Sequence, residues 1–255
     1  MTQISVVTAV YNRKDTVGQA LDSVLAQTGA QVEPVVIDGA STDGTLRVLE
    51  QYRSRLSVFV SEPDLGIYDA LNKGIQRSHG DVVGFLHADD LFAHTEVLKK
   101  ISAEFEDNDV DAVYGDLVYV DKDDPAKVVR YWEAGAFNQS KLMRGWMPPH
   151  PTFYVRRSVY ERLGLFDTRY RIAADYDSVV RFLFVGGITA AYIPEVLVRM
   201  RVGGVSNRSL RTIARKSCED YDILQSHGVG GLSVLLQKNL TKVGQFWRRK
   251  QRQRC

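Results

Sequence analysis

Two adjacent carboxylates, Asp89 and Asp90, follow the apolar segment Val82–Leu86 with only His87 and Ala88 between. Carboxylates placed directly after a buried strand are costly unless a positive group partners them. A hard divalent cation suits such a pair, because Mg²⁺ and Mn²⁺ bind carboxylate oxygens together with the phosphates of a substrate. The pair therefore predicts a Mg²⁺ or Mn²⁺ site. The alternative is that one carboxylate only caps the helix that follows.

The segments that position these carboxylates alternate between apolar runs and amphipathic helices. The runs are Ile4–Val10, Val35–Ile37, Val58–Val60 and Val82–Leu86, and each precedes a helical pattern of apolar residues. Continuous apolar strands separated by such helices are typical of a parallel sheet with both faces covered. In these sheets the ligand lies beyond the carboxyl ends of the strands. The sequence therefore predicts an α/β fold whose site is built from residues 11–12, 38–44, 62–66 and 87–90.

The second half of the chain is less regular. Strands are predicted over Val113–Val120, Val128–Trp132 and Thr152–Val155, and over Ile188–Tyr192 and Val196–Arg201 as two separate strands. Ser158 and Glu161 have the spacing of a capping box, and Asp175 opens a helix that ends at Gly186–Gly187. Beyond Gly203–Gly204 the pattern is helical. We expect one domain over residues 1–205 and a helical, basic extension over residues 206–255.

Two common nucleotide-binding motifs are missing from this pattern. Tyr11-Asn12-Arg13 stands where the GxGxxG of dinucleotide-binding proteins would follow the first strand. Gly39 and Gly44 have the separation of a P-loop, but Thr45 occupies the position where that motif requires Lys. Functions as an NAD-dependent enzyme or an ATPase therefore lose their main support.

Composition excludes several further classes. Lys plus Arg number 33 and Asp plus Glu 31, so the net charge of +2 is too balanced for a dedicated nucleic-acid binder. Cys218 and Cys255 are far apart, which predicts neither a zinc ribbon nor a disulfide framework and fits a reducing cytoplasm. The longest apolar stretch, residues 182–193, is interrupted by two glycines and is shorter than the roughly 20 residues needed to cross a bilayer.

Four motifs, in order and spacing, resemble the family 2 glycosyltransferases with the GT-A fold. They are ISVVTAVYNR at 4–13, VIDGASTDGT at 36–45, EPDLGIYDALNKGI at 62–75 and HADD at 87–90, and the resemblance runs through most of residues 4–206. HPTF at 150–153, ADYD at 174–177 and GGVS at 203–206 are similar to bacterial enzymes that build exopolysaccharide or lipopolysaccharide. The resemblance implies a mostly parallel sheet flanked by helices.

This resemblance also implies a reaction, the inverting transfer of a sugar from a nucleoside diphosphate, with UDP expected, to an acceptor hydroxyl. It assigns the divalent metal to Asp89 and Asp90, and leaves open which of the two binds metal and which touches the ribose. Where the family often has Asp, this chain has His87. By resemblance Asp38 accepts a hydrogen bond from the base and Tyr11 packs against it. The other residues assigned to the donor are Thr8, Val10, Asn72 and Lys73.

The acceptor hydroxyl must lose a proton as it attacks, so a carboxylate base is needed opposite the leaving group. Asp175 is the expected base, because ADYD resembles the family's Glu-Asp motif with Ala174 in place of Glu, and Asp177 is the fallback. Asp175 could instead only cap its helix. His150, in a loop flanked by prolines, resembles an acceptor-side residue, and a structural hydrogen-bonding role is the alternative.

Two other functions stay open. A nucleotidyltransferase that makes sugar nucleotides shares the layered fold, but usually has a glycine-rich basic loop after the first strand, and residues 11–15 lack the glycines. A non-catalytic family member that serves as a membrane assembly subunit is the second, and His87 is its only support.

The C-terminal stretch predicts where the protein works. Leu236, Leu240, Val243 and Trp247 fall on one helical face, and seven Lys and Arg residues lie between Lys238 and Arg254. A basic amphipathic helix of this kind can lie on an anionic membrane surface, and the alternative is that its apolar face packs on the catalytic domain. Together with the resemblance, this predicts a cytoplasmic enzyme held on the inner membrane, with a saccharide or lipid-linked saccharide as acceptor.

Overall fold

Four strand–helix units open the chain, as the apolar runs predict. The computed structural model describes residues 2–203 and 210–238. The strands are β1 (Gln3–Val10), β2 (Gln31–Asp38), β3 (Val58–Ser61), β4 (Val82–Phe85), β5 (Leu91–Phe92), β6 (Ala112–Val120), β7 (Val128–Trp132), β8 (Tyr154–Arg156) and β9 (Ala190–Arg201). The helices are α1 (Val17–Leu25), α2 (Thr45–Tyr52), α3 (Ile67–Arg77), α4 (Val97–Asp107), α5 (Gln139–Leu142), α6 (Arg157–Leu163), α7 (Ala174–Val180) and α8 (Leu210–Ser226).

The described strands form one mixed sheet in the order β3-β2-β1-β4-β8-β6-β9-β5, with β7 paired to β6. The first four neighbours are parallel, so β1, β2, β3 and β4 end at one edge. β8 is antiparallel to both β4 and β6, and β6 and β9 are parallel to each other. The predicted α/β fold is confirmed, and the second half contributes most of the antiparallel pairs.

Strand β1 carries apolar residues on both of its faces. Ile4 and Val6 pack in the same cluster as α4, whereas Val7 and Ala9 pack in the same cluster as α3. A strand covered by helices on both faces needs apolar side chains on both faces, and the buried polar residues of β1, Ser5 and Thr8, are small. The four predicted strand ends are therefore held at fixed positions by a core on each side of the sheet.

Three details of the second half differ from the sequence patterns. β9 is one strand, with a register shift in its pairing to β6 between Ile193 and Val196. The residues skipped in that pairing include Pro194, which has no N–H for the ladder. The capping box is wrong, because α6 begins at Arg157 and Glu161 forms an ion pair with the Arg157 guanidinium at 2.6 Å. Beyond α7 the chain makes a π-helical turn over Arg181–Val185.

Helix α8 packs into the core formed by the preceding part of the chain. Ile223 and Leu224 of α8 are fully buried in the cluster that contains Tyr176 and Val179 of α7. Residues 232–238 are helical and bury Val234 in the same cluster. Residues 204–209 and 239–255 lie outside the described part, so the division near residue 205 stays a prediction. Among the helices that the structure describes, none is long and apolar enough to cross a membrane.

Candidate active site

The loops after β1 and β2 are tied to each other. The backbone N–H of Asn12 donates to Ser41 Oγ at 2.8 Å, and Thr42 N–H donates to Asn12 Oδ1 at 2.9 Å. Asn12 (φ 51°) and Ala40 (φ 59°) are the described non-glycine residues with a left-handed backbone. Such strain clusters at functional sites, where the surrounding structure holds it in place. These hydrogen bonds therefore hold the loops after β1 and β2 as one rigid unit next to the strand ends.

The donor residues predicted in β1 and β2 occupy two different environments. Tyr11 is 58% exposed at the end of β1, whereas Thr8 and Val10 are buried within the strand. Asp38 is fully buried at the end of β2. Its carboxylate accepts hydrogen bonds from Ser41 N–H at 3.0 Å, from Ser41 Oγ, and from Ser61 Oγ at 2.7 Å. Asp38 thus holds the loop that follows it.

Asn72 and Lys73 on α3 both contact other parts of the protein. Asn72 donates to the Phe166 carbonyl and accepts from the Phe166 N–H, each at 2.9 Å. Lys73 Nζ lies 3.2 Å from Glu62 and 3.3 Å from Asp69, and donates to the Pro63 carbonyl at 2.8 Å. These contacts fix the loop between β3 and α3. A direct contact of either residue with a donor stays a prediction.

The two carboxylates after β4 face different surroundings. Asp90 is buried, and its Oδ1 accepts the Arg201 backbone N–H at 3.2 Å. Burial, and then the negative charge of Asp89, raise the pKa of Asp90 well above its ordinary value. The Asp89 side chain is 34% exposed, and its Oδ2 lies 3.7 Å from Arg13 Nε. A cation arriving from solvent therefore reaches Asp89.

The described residues supply too few ligands to bind a divalent metal alone, so a substrate must supply the others. Among residues 2–203 and 210–238 no cluster of three His, Cys, Asp or Glu side chains could enclose an ion. The exposed Asp89 carboxylate supplies one ligand of the right type, and His87 stands two residues before it with a buried, unpartnered Nδ1. Mg²⁺ and Mn²⁺ sites completed by phosphate oxygens commonly have such sparse protein ligands. The residues fit a metal of this kind.

His150 is held in an aromatic slot near these carboxylates. Its ring stacks on Phe85 at a centroid distance of 5.2 Å and lies 6.0 Å from the ring of His87. Neither ring nitrogen of His150 has a hydrogen-bond partner among the described residues. Burial lowers the pKa of His150 to about 4, although the Asp175 carboxylate opposes this shift. At neutral pH the ring is therefore uncharged and can pair with a neutral hydroxyl.

Asp175 lies in the first turn of α7, and one of its oxygens is open. Oδ1 accepts the Tyr68 hydroxyl at 3.1 Å and the Tyr176 N–H at 2.9 Å. No described residue donates a hydrogen bond to Oδ2. Burial lowers the pKa of His87, and the negative charges of Asp89 and Asp175 oppose this shift. The open oxygen of Asp175 is available to a hydrogen-bond donor.

Two positioning residues were missed by reasoning from the sequence. Glu219 of α8 accepts the N–H groups of Ile172 at 2.9 Å and Ala173 at 3.0 Å, in the turn that leads into Asp175. Arg201 at the end of β9 donates from its guanidinium to the Asp89 carbonyl at 2.6 Å and to Gln19. Both contacts join residues far apart in sequence, so no local motif marks them.

Comparisons with known proteins show the family of this chain. A model of glycosyl transferase family 2 matches residues 5–165. A PGL/p-HBAD biosynthesis glycosyltransferase of Mycobacterium bovis (strain BCG / Pasteur 1173P2) is 28% identical over 208 residues, which are 80% of this chain and 78% of that protein. An uncharacterized glycosyltransferase of Mycobacterium tuberculosis (strain ATCC 25618 / H37Rv) is 30% identical over 185 residues, 71% of this chain and 69% of the relative.

Solved structures share the fold. S. aureus TarS 1-349 superposes with a TM-score of 0.66 at 19% identity, covering 97% of this chain and 73% of that one. A longer TarS chain is matched over only 44% of its length. The mannosyltransferase PcManGT from Pyrobaculum calidifontis, in complex with GDP-Man and Mn²⁺, gives a TM-score of 0.67 at 21% identity, covering 96% and 71%. These likenesses confirm the predicted GT-A fold.

Proposed function

The chain belongs to glycosyl transferase family 2, and from that premise we propose that it is an inverting enzyme that uses a nucleoside diphosphate sugar, with UDP as the nucleotide. The observation that carries the proposal is the environment of two carboxylates: a cation can reach Asp89, and no described residue donates a hydrogen bond to Oδ2 of Asp175. Asp89 would then hold a metal that stabilises the leaving group, and Asp175 would serve as the base for the acceptor.

The proposed step is a single displacement. The acceptor oxygen attacks the anomeric carbon while its proton moves to Oδ2 of Asp175, and the bond from that carbon to the diphosphate oxygen breaks. A general base in this position typically contributes 10²–10⁴-fold to the rate. Oδ1 of Asp175 is occupied by Tyr68 and by the Tyr176 N–H, so the carboxylate is held with the other oxygen outward.

Asp89 would hold a Mg²⁺ or Mn²⁺ ion. Asp90 would position the turn after β4 through its hydrogen bond with the Arg201 backbone N–H. When bound, the ion stabilises the negative charge that develops on the departing diphosphate. Arg13 beside Asp89 adds a second positive charge near the same place. The Mn²⁺ in the PcManGT complex and the UDP-GlcNAc in a TarS complex support a metal and a nucleotide sugar here.

The remaining predicted residues divide between donor and acceptor. Tyr11 would stack on the base, with Thr8, Val10, Asp38, Asn72 and Lys73 forming or supporting the donor side. His150 is uncharged, and its ring nitrogens have no hydrogen-bond partner among the described residues. It would accept a hydrogen bond from a hydroxyl of the acceptor sugar or donate one to it. A saccharide, free or linked to a lipid, fits this neutral contact.

Release of the nucleoside diphosphate tests the activity directly. We expect release from one sugar nucleotide of a panel, dependent on Mn²⁺ or Mg²⁺ and on an acceptor, with an inverted anomeric configuration by NMR. Pyrophosphate exchange with a sugar phosphate and a nucleoside triphosphate would indicate a nucleotidyltransferase instead. Binding of nucleotides without any turnover would indicate a non-catalytic member.

Location at the cytoplasmic face of a membrane is proposed from the basic C-terminal stretch, most of which lies outside the described residues. Lys238 does not belong to that basic surface, because it is buried and its Nζ lies 2.8 Å from Asp220. We expect the full chain to sediment with anionic vesicles at low salt and a variant ending at Lys238 to stay in solution. Equal binding by both chains would exclude residues 239–255 as the anchor.

A further inference from the structure

Lys238 is a lysine whose ammonium group is buried against α7. The residue is 2% exposed, and its Nζ lies 2.9 Å from the centroid of the Tyr176 ring and 2.8 Å from Oδ1 of Asp220 on α8. A buried ammonium needs an opposite charge, and the face of an aromatic ring attracts a cation as well. Lys238 therefore joins the helical residues 232–238 to the helix that carries Asp175.

A glycine in the loop before His150 contacts the same lysine. A Cβ atom at Gly145 would lie 2.4 Å from Lys238 Cβ and 2.9 Å from Lys238 Cα, so a side chain there would displace the helical segment. Gly145 also has a φ of 81°, which a side chain would strain. Residues 232–238 thus lie between the loop that leads to His150 and the helix that carries Asp175.

Tyr176 connects this contact to the proposed base. Its backbone N–H donates to Oδ1 of Asp175 at 2.9 Å, and its buried ring packs in the core. No described residue forms a hydrogen bond with the Tyr176 hydroxyl, so packing holds the ring in place. Because the Lys238 ammonium lies over that ring, loss of the contact would let the first turn of α7 shift.

Asp220 is shared by two lysines. Its side chain is buried, Lys216 Nζ lies 3.0 Å from its Oδ2, and Lys238 Nζ lies beside its Oδ1. Burial alone would raise the pKa of Asp220, but the positive charges of Lys238 and Lys216 outweigh burial and lower it. Lys216 belongs to α8 itself, whereas Lys238 comes from the separate segment and lies over Tyr176. The two lysines therefore differ in the contact with Tyr176 and not in the carboxylate that they neutralise.

We propose that Lys238 is a positioning residue for the base, because its ammonium fixes the Tyr176 ring and thereby the first turn of α7 with Asp175. The inference rests on the proposed function, in which Asp175 takes the proton of the acceptor. Lys238 acts through Tyr176 and not on a reacting atom. The quantity that depends on it is therefore kcat, and not the affinity for the donor.

The experiment compares Lys238→Met with Lys216→Met in the full chain. Each variant removes one positive partner of the buried Asp220, so both should lower the midpoint of urea unfolding. Lys238→Met should in addition lower kcat by about tenfold, because the base is misplaced. This rate is the release of nucleoside diphosphate from the sugar nucleotide that the wild type uses. The KM for the donor, and the affinity for UDP with Mn²⁺ by calorimetry, should stay unchanged, and Lys216→Met should keep the wild-type kcat.

Hydrogen exchange of residues 174–180 tests the contact without any substrate. We expect these amides to exchange faster in Lys238→Met and at the wild-type rate in Lys216→Met. Gly145→Ala places a methyl group against Lys238 and should reproduce both the faster exchange and the lower kcat. Gly187→Ala is the control for backbone strain alone, because Gly187 has a φ of 58° and open space around it.

Equal losses of kcat in Lys238→Met and Lys216→Met, or a wild-type kcat in Lys238→Met, would overturn the proposal. If Lys238→Met does not fold, the comparison of Gly145→Ala with Gly187→Ala decides in the same way, and equal effects of the two reject the role of Lys238. If the wild type itself releases no nucleoside diphosphate from any sugar nucleotide, the proposed function fails, and with it the base that Lys238 would position.

Discussion

The imidazole Nε2 of His227 lies 2.7 Å from Oδ1 of Asp177. This contact distinguishes Asp177 from Asp175, the other carboxylate at the start of α7. The other oxygen of Asp177 faces the Arg181 guanidinium at 3.3 Å, and the side chain is 5% exposed. Asp177 is therefore occupied by structural partners. Asp175, two residues earlier, points toward Tyr68 and keeps one oxygen open.

Asp175→Asn and Asp177→Asn should accordingly have different effects. The amide at residue 175 keeps the shape of the side chain but cannot take a proton, so turnover should fall at least about a hundredfold while donor affinity is unchanged. Asp177→Asn should leave turnover within a few-fold but lower the free energy of unfolding by about 3 kcal/mol, because Arg181 and His227 lose the negative charge that they face. Steady-state rates, donor calorimetry and urea unfolding measure the three quantities. Near-normal turnover of Asp175→Asn would remove it from the role of base.

Glu219 connects α8, which lies beyond the matched residues 5–165, to the turn before the proposed base Asp175. Its carboxylate holds the N–H groups of the turn before Asp175. Glu219→Ala should lower kcat by about tenfold through misplacement of the base, with the KM for the donor unchanged. Glu219→Gln retains one carbonyl oxygen and should restore most of the loss. A variant on a remote ion pair, Glu161→Ala, serves as the control, and a proportional loss of stability and activity in it would contradict a specific role for Glu219.

The sequence predicted the first half of the fold well because its signal is local. A strand buried on both faces, such as β1, is mostly apolar, and the helices between strands must be amphipathic. Strand β5 has only two residues, Leu91–Phe92, and pairs with β9. No periodicity can be measured over two residues. Pro194 marks the irregularity in the sequence, but that the chain continues as one strand across it depends on the partner strand β6.

The candidate site was predictable by residue type and not by orientation. The sequence predicted that Asp89 and Asp90 follow β4. The two residues are adjacent in the chain, and only the fold turns Asp90 toward Arg201 and Asp89 toward Arg13. The same holds for Asp38, whose carboxylate is oriented by the tertiary contact with Ser61.

This orientation makes Asp89→Asn and Asp90→Asn a discriminating pair. Asp89→Asn removes the accessible charge, so the apparent affinity for Mn²⁺ should fall at least about tenfold, and activity with it. Asp90→Asn keeps an oxygen that can accept the Arg201 N–H and should retain the Mn²⁺ affinity. Activity titrated with Mn²⁺ at saturating donor measures both. The reverse pattern would assign the metal to Asp90 and the positioning role to Asp89.

A buried carboxylate near the start of β2, whose other end borders the site, is expected to contribute to the response to acid. Glu33 of β2 is 5% exposed, and it accepts hydrogen bonds from Ser5 Oγ, from the His79 N–H at 2.8 Å and from the Gly80 N–H at 3.2 Å. Burial alone would raise the pKa of Glu33, but these donors together outweigh it and lower the pKa below the ordinary value of 4.5. The ionised side chain thus joins β1 and β2 to the turn before β4.

Because the folded-state pKa of Glu33 lies below its unfolded-state value, the stability it contributes is fully present above about pH 4.5 and is lost as the pH falls through the folded-state pKa. Glu33→Gln replaces one acceptor oxygen by a donor, so at pH 7 it should lower the free energy of unfolding by about 1–3 kcal/mol. The difference between wild type and variant should shrink as the pH is lowered below about 4.5 and through the folded-state pKa of Glu33. Urea unfolding at a series of pH values measures this difference. The exposed carboxylate of Glu50, changed to Gln, should show almost no difference at any pH. A gap between wild type and Glu33→Gln that stays constant over the whole acid range in which the protein folds would show that the charge of Glu33 is not what stabilises the fold.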